Sequence, residues 1–184
     1  IIELNAEGTI TNVNEETASL FNYGSVRELT QSYLRHPETF YANDSDRIQL
    51  RRDLASGKGV QARDIEMRRA DGKIIWVEEN ARLVRDDQGR PVLIDGSITD
   101  ITDRKRSEAR IQFLAHHDGL TGLPNRTLFQ ERLAAAVERS KRERSHFVLM
   151  MFDLDNFKDL NDCLGEDAAD RMLGLLSRRG LDAI

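Results

Sequence analysis

Three apolar runs in the middle of the chain constrain its fold more than any other feature of the sequence. They cover residues 60–67, 74–83 and 92–101, and in the first of them polar and apolar side chains alternate. Asp71-Gly72 separates the first two runs, and a turn that ends at Gly89 separates the second from the third. Glycine supplies the positive φ that tight turns need. The pattern therefore predicts three consecutive strands in an antiparallel meander, with helices packed on one face.

The first sixty residues predict a hairpin and two helices. Apolar residues at 1–4 and 10–13 flank Asn5-Ala6-Glu7-Gly8, which is a hairpin signal. A short helix is predicted over 14–23, ended by Gly24, and a longer one from residue 45 to Gly57. The stretch between them, 25–45, is expected to be irregular, with Ser25 as a plausible N-cap and Pro37 as a breaker.

Residues 103–117 predict a continuous helix, because they contain neither proline nor glycine. Ile111, Leu114 and Ala115 form one narrow apolar stripe. Such a stripe suits a short parallel coiled coil with a second copy of the chain. The alternative is a helix that packs against its own domain, and the sequence leaves both open.

Beyond Gly119 the pattern changes to alternating helix and strand. Helices are predicted over 126–140, 157–164 and 168–176. The run 146–152 is almost continuously apolar, which is typical of a strand buried on both faces. Acidic residues follow it, and α/β folds place ligands at the carboxyl ends of such strands.

Composition narrows the possible functions. A net charge of −5 and a pI near 5.5 argue against a general binder of nucleic acid or anionic membranes. Cys163 is the only cysteine, so no internal disulfide forms and a cytoplasmic setting is expected. No apolar run approaches the roughly 20 residues of a membrane span. The chain starts without methionine, in what reads as a strand. We therefore expect a piece of a longer protein, whose membrane anchoring stays open.

Several motifs of the first hundred residues carry a family resemblance. They are Asn5, Gly8, Ile10, Asn14, Leu20-Phe21-Asn22-Tyr23, Asp71-Gly72-Lys73, Trp76-Val77-Glu78, Asp87-Gln88-Gly89, Gly96 and Asp100-Ile101-Thr102. With these motifs the segment resembles a PAS sensor domain. The resemblance implies an α+β fold, with a five-stranded antiparallel sheet and flanking helices over residues 1–102. Asp100, Ile101 and Thr102 look like the family's junction with an output helix, here the signalling linker 103–117.

A second resemblance is carried by four stretches. They are Asp118-Gly119-Leu120-Thr121-Gly122-Leu123-Pro124-Asn125-Arg126, Phe152-Asp153-Leu154-Asp155-Asn156-Phe157-Lys158, Asn161-Asp162 and Gly165. With these stretches, residues 118 to about 176 resemble the N-terminal part of a GGDEF diguanylate cyclase domain, so a truncated α/β domain is expected over 118–184. The naming motif Gly-Gly-Asp-Glu-Phe is absent, so no complete catalytic set is present and the 184 residues alone are expected not to turn over GTP.

The cyclase resemblance implies a metal and nucleotide site. Asp153 is implied as a ligand of Mg²⁺, and Leu154 contributes its backbone carbonyl. The alternative for Asp153 is a helix N-cap. Phe157 and Lys158 match positions that approach the GTP phosphates, although Phe157 also suits core packing. The implied readers of the guanine base are Asn161 and Asp170.

Two departures and one ion pair accompany that resemblance. Glu166 stands where the family usually has histidine, and Ala169 where it usually has glycine. Both put full cyclase activity in question, because Glu166 adds negative charge near a triphosphate and Ala169 adds a methyl group near the base. Asp118 and Arg126 match a regulatory acid–base pair; the alternative is a surface ion pair of about 0–1 kcal/mol.

No cofactor is predicted for the PAS half, and its ligand is unknown. A photoreactive flavin domain of this family carries a cysteine, and none precedes Cys163. A haem domain needs an axial histidine, and His36 lies beside Pro37 in a stretch expected to be irregular. His116 and His117 cannot chelate one metal together, because adjacent helical positions point about 100° apart.

The resemblances together imply a sensory protein in which a PAS domain regulates a diguanylate cyclase. That enzyme makes cyclic di-GMP from two GTP molecules, so two cyclase domains must face each other and a homodimer through the PAS domain and linker is expected. One alternative is a sensing and dimerisation module with a degenerate, GTP-binding GGDEF domain. Another places that degenerate domain before a cyclic di-GMP phosphodiesterase domain.

Overall fold

A computed structural model describes residues 1–5 and 7–182. Ala6 of the predicted hairpin turn, and Ala183 and Ile184 of the predicted cyclase segment, lie outside the described residues. The chain forms two compact units, Ile1–Arg106 and Ser107–Ile184. The finer division at residues 102 and 117 stays a prediction.

The first unit contains five strands and four helical segments. The strands are β1 (Ile2–Asn5), β2 (Ile10–Val13), β3 (Val60–Arg68), β4 (Ile74–Arg85) and β5 (Pro91–Asp100). The helices are α1 (Glu15–Leu20), α2 (Val26–Arg35), a short 3₁₀ turn (Pro37–Phe40) and α3 (Asp44–Ala55). A further helix, α4 (Thr102–His116), starts in the first unit and continues into the second.

The strands form one antiparallel sheet in the order β2-β1-β5-β4-β3. The hairpin of β1 and β2 and the meander from β3 to β5 are both as predicted. The architecture of a five-stranded antiparallel sheet with flanking helices, within an α+β fold, is therefore confirmed.

The register of β3 against β4 divides the sheet into two faces. Ile65 lies opposite Val77, and Met67 lies opposite Ile75. All four are buried, because their side chains point to the inner face, where the hydrophobic core lies. Strand side chains alternate between faces. The residues next to these pairs along the strands, such as Asp64 and Glu78, therefore lie on the outer face.

An aromatic cluster fills the inner side of the first unit. Phe40 lies at its centre, with the ring of Phe21 5.4 Å away, that of Tyr33 5.3 Å away and that of Tyr23 stacked at 5.8 Å. Phe40 is 3% exposed. Edge-on and offset ring contacts add to the gain from burying apolar area, so this cluster connects the helical segments to one another.

The prediction of an irregular stretch over 25–45 was wrong, although its N-cap was right. Helix α2 begins after Ser25, whose hydroxyl accepts a hydrogen bond from the Glu28 N–H at 3.3 Å. Leu29 and Tyr33, four residues apart, face the core from α2. Polar residues between them obscure this spacing in the sequence. The helix ends before Pro37, as the breaker signal predicted.

The second unit is helical in its described part. After α4 it contains α5 (Arg126–Glu143), α6 (Phe157–Leu164) and α7 (Glu166–Asp182), at the positions where helices were predicted. Within the segments 1–5 and 7–182, no helix is both long enough and apolar enough to cross a membrane.

The predicted buried strand at residues 146–152 was wrong. This segment has no regular secondary structure, and Val148, Met151 and Phe152 are 84%, 89% and 85% exposed. A strand gains stability from hydrogen bonds to neighbouring strands. The described residues of the second unit form no strand with which it could pair, and only an isolated bridge joins His117 to Pro124. Hydrophobicity alone therefore does not order this segment.

Candidate functional site

A small cavity of about 40 Å³ lies between the inner face of the sheet and the helices of the first unit. One water needs roughly 10–15 Å³ in this measure, so there is room for about three waters. Apolar side chains such as Phe21, Leu29 and Ile94 form most of its lining, and Tyr41 and Glu79 add polar groups. His36, the one histidine in residues 1–102, lies on the surface, with Nδ1 3.4 Å from Oε1 of Glu38.

The polar group beside this cavity is a buried ion pair that the sequence analysis missed. Glu79 on β4 accepts a hydrogen bond of 2.5 Å from Nη2 of Arg63 on β3. The Tyr41 hydroxyl donates to Oε1 of Glu79 at 3.4 Å. Their exposed side-chain fractions are 6% for Glu79 and 19% for Arg63. The sequence did contain one signal. Arg63 lies two residues before Ile65 in the same strand, so both side chains point to the core-facing side of the sheet.

Burial raises the pKa of two groups in this cluster, the Glu79 carboxyl and the Tyr41 hydroxyl. Removal from water raises the pKa of Glu79 above its usual 4.5, and the charge of Arg63 partly opposes that rise. Burial also raises the pKa of the Tyr41 hydroxyl well above 10, which keeps it protonated as a donor. Arg63 thus favours the charged form of a carboxyl group that its burial in an apolar core disfavours.

Two of the three predicted junction residues, Ile101 and Thr102, hydrogen-bond to the backbone of Trp76 on β4, and the third, Asp100, bonds to Thr102. The Ile101 N–H donates to the Trp76 carbonyl at 2.9 Å. The Thr102 hydroxyl accepts from the Trp76 N–H at 3.0 Å and lies 3.4 Å from its carbonyl. Asp100 accepts from the Thr102 N–H at 2.8 Å, at the start of α4. The structure therefore attaches the beginning of α4 to the sheet; a signalling role for this junction stays a prediction.

Asp118, at the turn after α4, bonds within its own turn. One carboxylate oxygen accepts from the N–H groups of Leu120 and Thr121, at 3.2 and 2.8 Å, and from the Thr121 hydroxyl at 2.7 Å. These hydrogen bonds lower the pKa of Asp118 below 3.8. In the described ranges, Asp118 forms no ion pair with Arg126. The regulatory role predicted for that pair stays a prediction.

Asn125 joins α4 to α5 through a single side chain. Its amide nitrogen donates to the carbonyls of Ala115 and Leu114 at 3.0 and 3.4 Å, near the end of α4. Its amide oxygen accepts from the Leu128 N–H at 3.1 Å, which caps α5. Helix ends leave backbone groups without intrahelical partners, and Asn125 satisfies groups at two ends at once.

Replacing Asn125 with alanine is expected to destabilise the second unit by about 1–2 kcal/mol, because one N-cap and two carbonyl partners are lost. Asn125→Asp keeps the cap but loses the amide donor, so its unfolding midpoint should lie between those of the wild type and Asn125→Ala. Urea unfolding followed by helical circular dichroism measures this. Equal midpoints for all three proteins would show that the side chain does not join the helices.

The six residues implied for GTP and Mg²⁺ lie on three consecutive segments. Asp153 and Leu154 are exposed, in the stretch without regular structure. Phe157, Lys158 and Asn161 lie on α6, and Asp170 lies on α7. Phe157 and Asn161 are one helical turn apart and both half-buried, so they share a face.

Two features matter for nucleotide and metal binding here: the N-terminus of α6, and the side chains that could ligate a metal ion. No side chain caps α6, because its N-cap residue Asn156 has a left-handed φ of 55° and makes no side-chain cap bond. Its first N–H groups suit an anion. Across the part of the chain that the structure describes, no three His, Cys, Asp or Glu side chains form a metal cluster. The metal role of Asp153 and the base-reading roles of Asn161 and Asp170 stay predictions.

Family models match the chain in two consecutive segments. A PAS domain matches residues 1–103, and a diguanylate cyclase, GGDEF domain, matches residues 115–180. The first match covers more than half of the chain. Residues 104–114, which lie between the two matches, all belong to α4.

Curated relatives share 35–39% identity with parts of the chain. An uncharacterized signaling protein of Caulobacter vibrioides is 39% identical over 117 residues, 61% of this chain and 14% of the relative. Diguanylate cyclase TpbB of Pseudomonas aeruginosa is 39% identical over 71 residues, 39% of this chain and 16% of the relative. Cyclic di-GMP phosphodiesterase PdeR of Escherichia coli is 39% identical over 75 residues, which are 41% of this chain and 11% of the relative.

The chain spans between 9% and 20% of the length of these curated relatives. Among solved structures, the match to an RNA-binding light-oxygen-voltage receptor covers 62% of this chain and 33% of the receptor chain. Its TM-score is 0.51 and the sequence identity is 22%. That similarity concerns the fold alone. Over residues 1–103 the chain belongs to the PAS domain family, and it continues over residues 115–180 as a GGDEF domain.

Proposed function

We propose that this chain is the sensory and linker part of a PAS-regulated diguanylate cyclase, which makes cyclic di-GMP from two GTP molecules. The supporting observation is that a PAS domain and a GGDEF domain follow each other in one chain, joined by helix α4. The full activity belongs to the complete protein of which these 184 residues form a part.

In this proposal the segment from Asp153 to Asn161 receives the triphosphate. The Asp153 carboxylate and the Leu154 carbonyl are hard oxygen donors of the kind that Mg²⁺ prefers. When bound, Mg²⁺ neutralises charge on the triphosphate. The uncapped N–H groups at the start of α6 bind a phosphate, and Lys158 adds a positive charge beside them.

Guanine recognition is assigned to Asn161 and Asp170. An amide side chain offers both a donor and an acceptor, and a carboxylate accepts hydrogen bonds from N1–H and the N2 amine of guanine. Adenine presents neither donor in that arrangement. Both residues are half-buried on helices that pack together across Gly165, which supports a common position for them.

The second candidate function is nucleotide binding without cyclisation, ahead of a cyclic di-GMP phosphodiesterase domain. It is favoured by Glu166 and Ala169, which depart from the family pattern, and by the phosphodiesterase relatives. Ala169 is 1% exposed, so its added methyl group lies inside the packing of α7. In this alternative, GTP regulates the protein and is not its substrate.

Nucleotide selectivity tests the proposed site in either case. Titration of the complete protein with GTP or ATP in the presence of Mg²⁺ should show at least about tenfold tighter binding of GTP, since mispairing one buried polar contact costs about 1–3 kcal/mol. Asn161→Ala should reduce this preference severalfold, and Asp159→Asn, an exposed change on the same helix, should not. Equal affinity of the wild type for both nucleotides would refute the site.

A further inference from the structure

Glu79 combines three properties that suit a proton-binding site. Its side chain is 6% exposed, which disfavours the charged form of the carboxyl group. It lines the cavity of about 40 Å³ described above, which has room for water, the usual carrier of protons. Among the residues that line this cavity in the described part of the chain, Glu79 is the only one with a carboxyl group. A proton that enters the cavity therefore has one acceptor of this kind.

The surroundings of Glu79 favour its protonated form. Burial raises the pKa of Glu79 above 4.5, and the charge of Asp46 adds to that rise, while Arg63 opposes it. Both neighbouring tyrosines have a raised pKa because they are buried, so they remain neutral. The charged and titratable groups around Glu79 and these tyrosines are Arg63 on β3, Tyr33 on α2, Tyr41 after the 3₁₀ turn, and Asp46, Arg47 and Arg51 on α3.

One nitrogen of Arg63 connects Glu79 to helix α3. Nη2 donates to Oε2 of Glu79 at 2.5 Å and to the backbone carbonyl of Asp46, in the first turn of α3, at 3.1 Å. Nε and Nη1 of Arg63 are buried and have no hydrogen-bond partner within residues 1–5 and 7–182. Of the two groups that Nη2 contacts, only the carboxylate neutralises the guanidinium. The position of Arg63 therefore depends on the charge of Glu79.

Protonation of Glu79 removes that charge and leaves both side chains in place. A proton taken from water onto Oε1 turns this oxygen into a donor, and the Tyr41 hydroxyl, 3.4 Å away, can accept from it. Oε2 stays an acceptor for Arg63, but a neutral one. A buried cation whose partner carries no charge is strongly disfavoured. Arg63 is 19% exposed, so it lies close enough to the surface to turn towards water, and it then loses the Asp46 carbonyl.

We propose that Glu79 is a proton-binding site in the core of the PAS unit, and that its protonation frees Arg63 and so breaks the contact between β3 and the first turn of α3. The ligand of this site is H⁺, and the site makes the first unit responsive to acidification. This inference goes beyond the proposed function and does not rest on it. All the groups involved lie within Ile1–Arg106, apart from the residues assigned to GTP and Mg²⁺.

Carbon-13 NMR and amide hydrogen exchange, both on the full chain, test the site. The Cδ signal of Glu79, assigned through its backbone amide, should titrate with a midpoint above 4.5, the usual value. Amides of residues 44–50 should exchange about fivefold faster once Glu79 is protonated, relative to amides of β1 at the same pH. That ratio cancels the intrinsic dependence of exchange on pH. In Glu79→Gln, which is neutral at every pH, the ratio should have its higher value throughout.

Glu78→Gln is the matched control, because it removes the carboxylate one residue earlier, on the outer face of the sheet. It should keep the wild-type pH dependence at residues 44–50. The proposal is overturned if Glu79 titrates at or below 4.5, or if exchange at residues 44–50 does not follow its titration. Both observations are made on the unmodified protein, so they decide the matter even if Glu79→Gln does not fold. Neither uses nucleotide, so failure of the proposed enzymatic activity would leave the result interpretable.

Discussion

Replacing Arg63 with methionine is expected to lower the free energy of unfolding of the PAS unit by about 3–5 kcal/mol. The substitution leaves Glu79 with a carboxylate that is 6% exposed and has lost its cationic partner. The Tyr41 hydroxyl, 3.4 Å away, is the one hydrogen-bond donor to that carboxylate that remains among the described contacts. Breaking one side of a buried ion pair costs more than the pair itself contributes, because the other charge stays buried.

The destabilisation should depend on pH in a defined direction. Burial raises the pKa of Glu79 in the folded state, so its contribution to stability is present at low pH and is lost as pH rises through that raised pKa. Arg63 opposes the rise, and its removal therefore enlarges it. The difference between Arg63→Met and wild type should be largest near neutral pH and should shrink as the solution is acidified and Glu79 becomes protonated.

Urea unfolding followed by Trp76 fluorescence measures this effect, because the only tryptophan lies in the PAS unit. Arg82→Met is the control, since it removes an Arg–Asp pair whose arginine is 75% exposed and should cost at most about 1 kcal/mol. The double variant Arg63→Met/Glu79→Leu should recover most of the lost stability, because no charge is then buried. Equal losses of unfolding free energy in Arg63→Met and Arg82→Met would mean that Arg63 and Glu79 do not form a buried ion pair.

Replacing Asp153 with alanine in the complete protein is expected to reduce cyclic di-GMP formation by about 100-fold or more. In the proposed site, this carboxylate holds the ion that neutralises the triphosphate, and loss of one electrostatic contact to the developing charge typically costs about 10²–10³ in rate. Asp153 is exposed and lies outside regular structure, so the change should leave folding intact. A loss of activity would therefore reflect the missing metal ligand and not misfolding.

Asp159→Asn is the matched control for Asp153→Ala, because it removes an exposed acid six residues further along the chain. It should retain the rate of the unmodified protein. A cyclase whose rate is unchanged by Asp153→Ala would show that the metal is held elsewhere. Raising the Mg²⁺ concentration should rescue Asp153→Ala poorly, since a missing ligand weakens binding of the ion and also misplaces it.

The sheet of the PAS unit was predictable because its signals are local. The alternation from Val60 and the glycine turns at Gly72 and Gly89 define three strands without reference to the rest of the molecule. Helix α2 was missed because polar residues separate Leu29 from Tyr33. The strand predicted at 146–152 failed for the opposite reason: its apolar run is clear, but a strand forms only with partners, which periodicity does not reveal.

The sequence predicted one part of the candidate sites and missed two others. Family resemblance predicted a junction at Asp100, Ile101 and Thr102, and the structure shows Ile101 and Thr102 bonded to the Trp76 backbone; the signalling role stays a prediction. The spacing of Arg63 from Ile65 indicates its core-facing side, but its pairing with Glu79 depends on the register between two strands, which spacing does not give. The bridge made by Asn125 likewise needs the geometry of a turn, which sequence letters alone do not specify.

Product analysis of the complete protein tests the central proposal most directly. The protein is incubated with GTP and Mg²⁺, and the nucleotides are then separated by chromatography. The account predicts that GTP is consumed and that one cyclic di-GMP accumulates for every two GTP molecules. Recovery of unchanged GTP, together with hydrolysis of added cyclic di-GMP, would contradict it and assign the protein to the phosphodiesterase alternative.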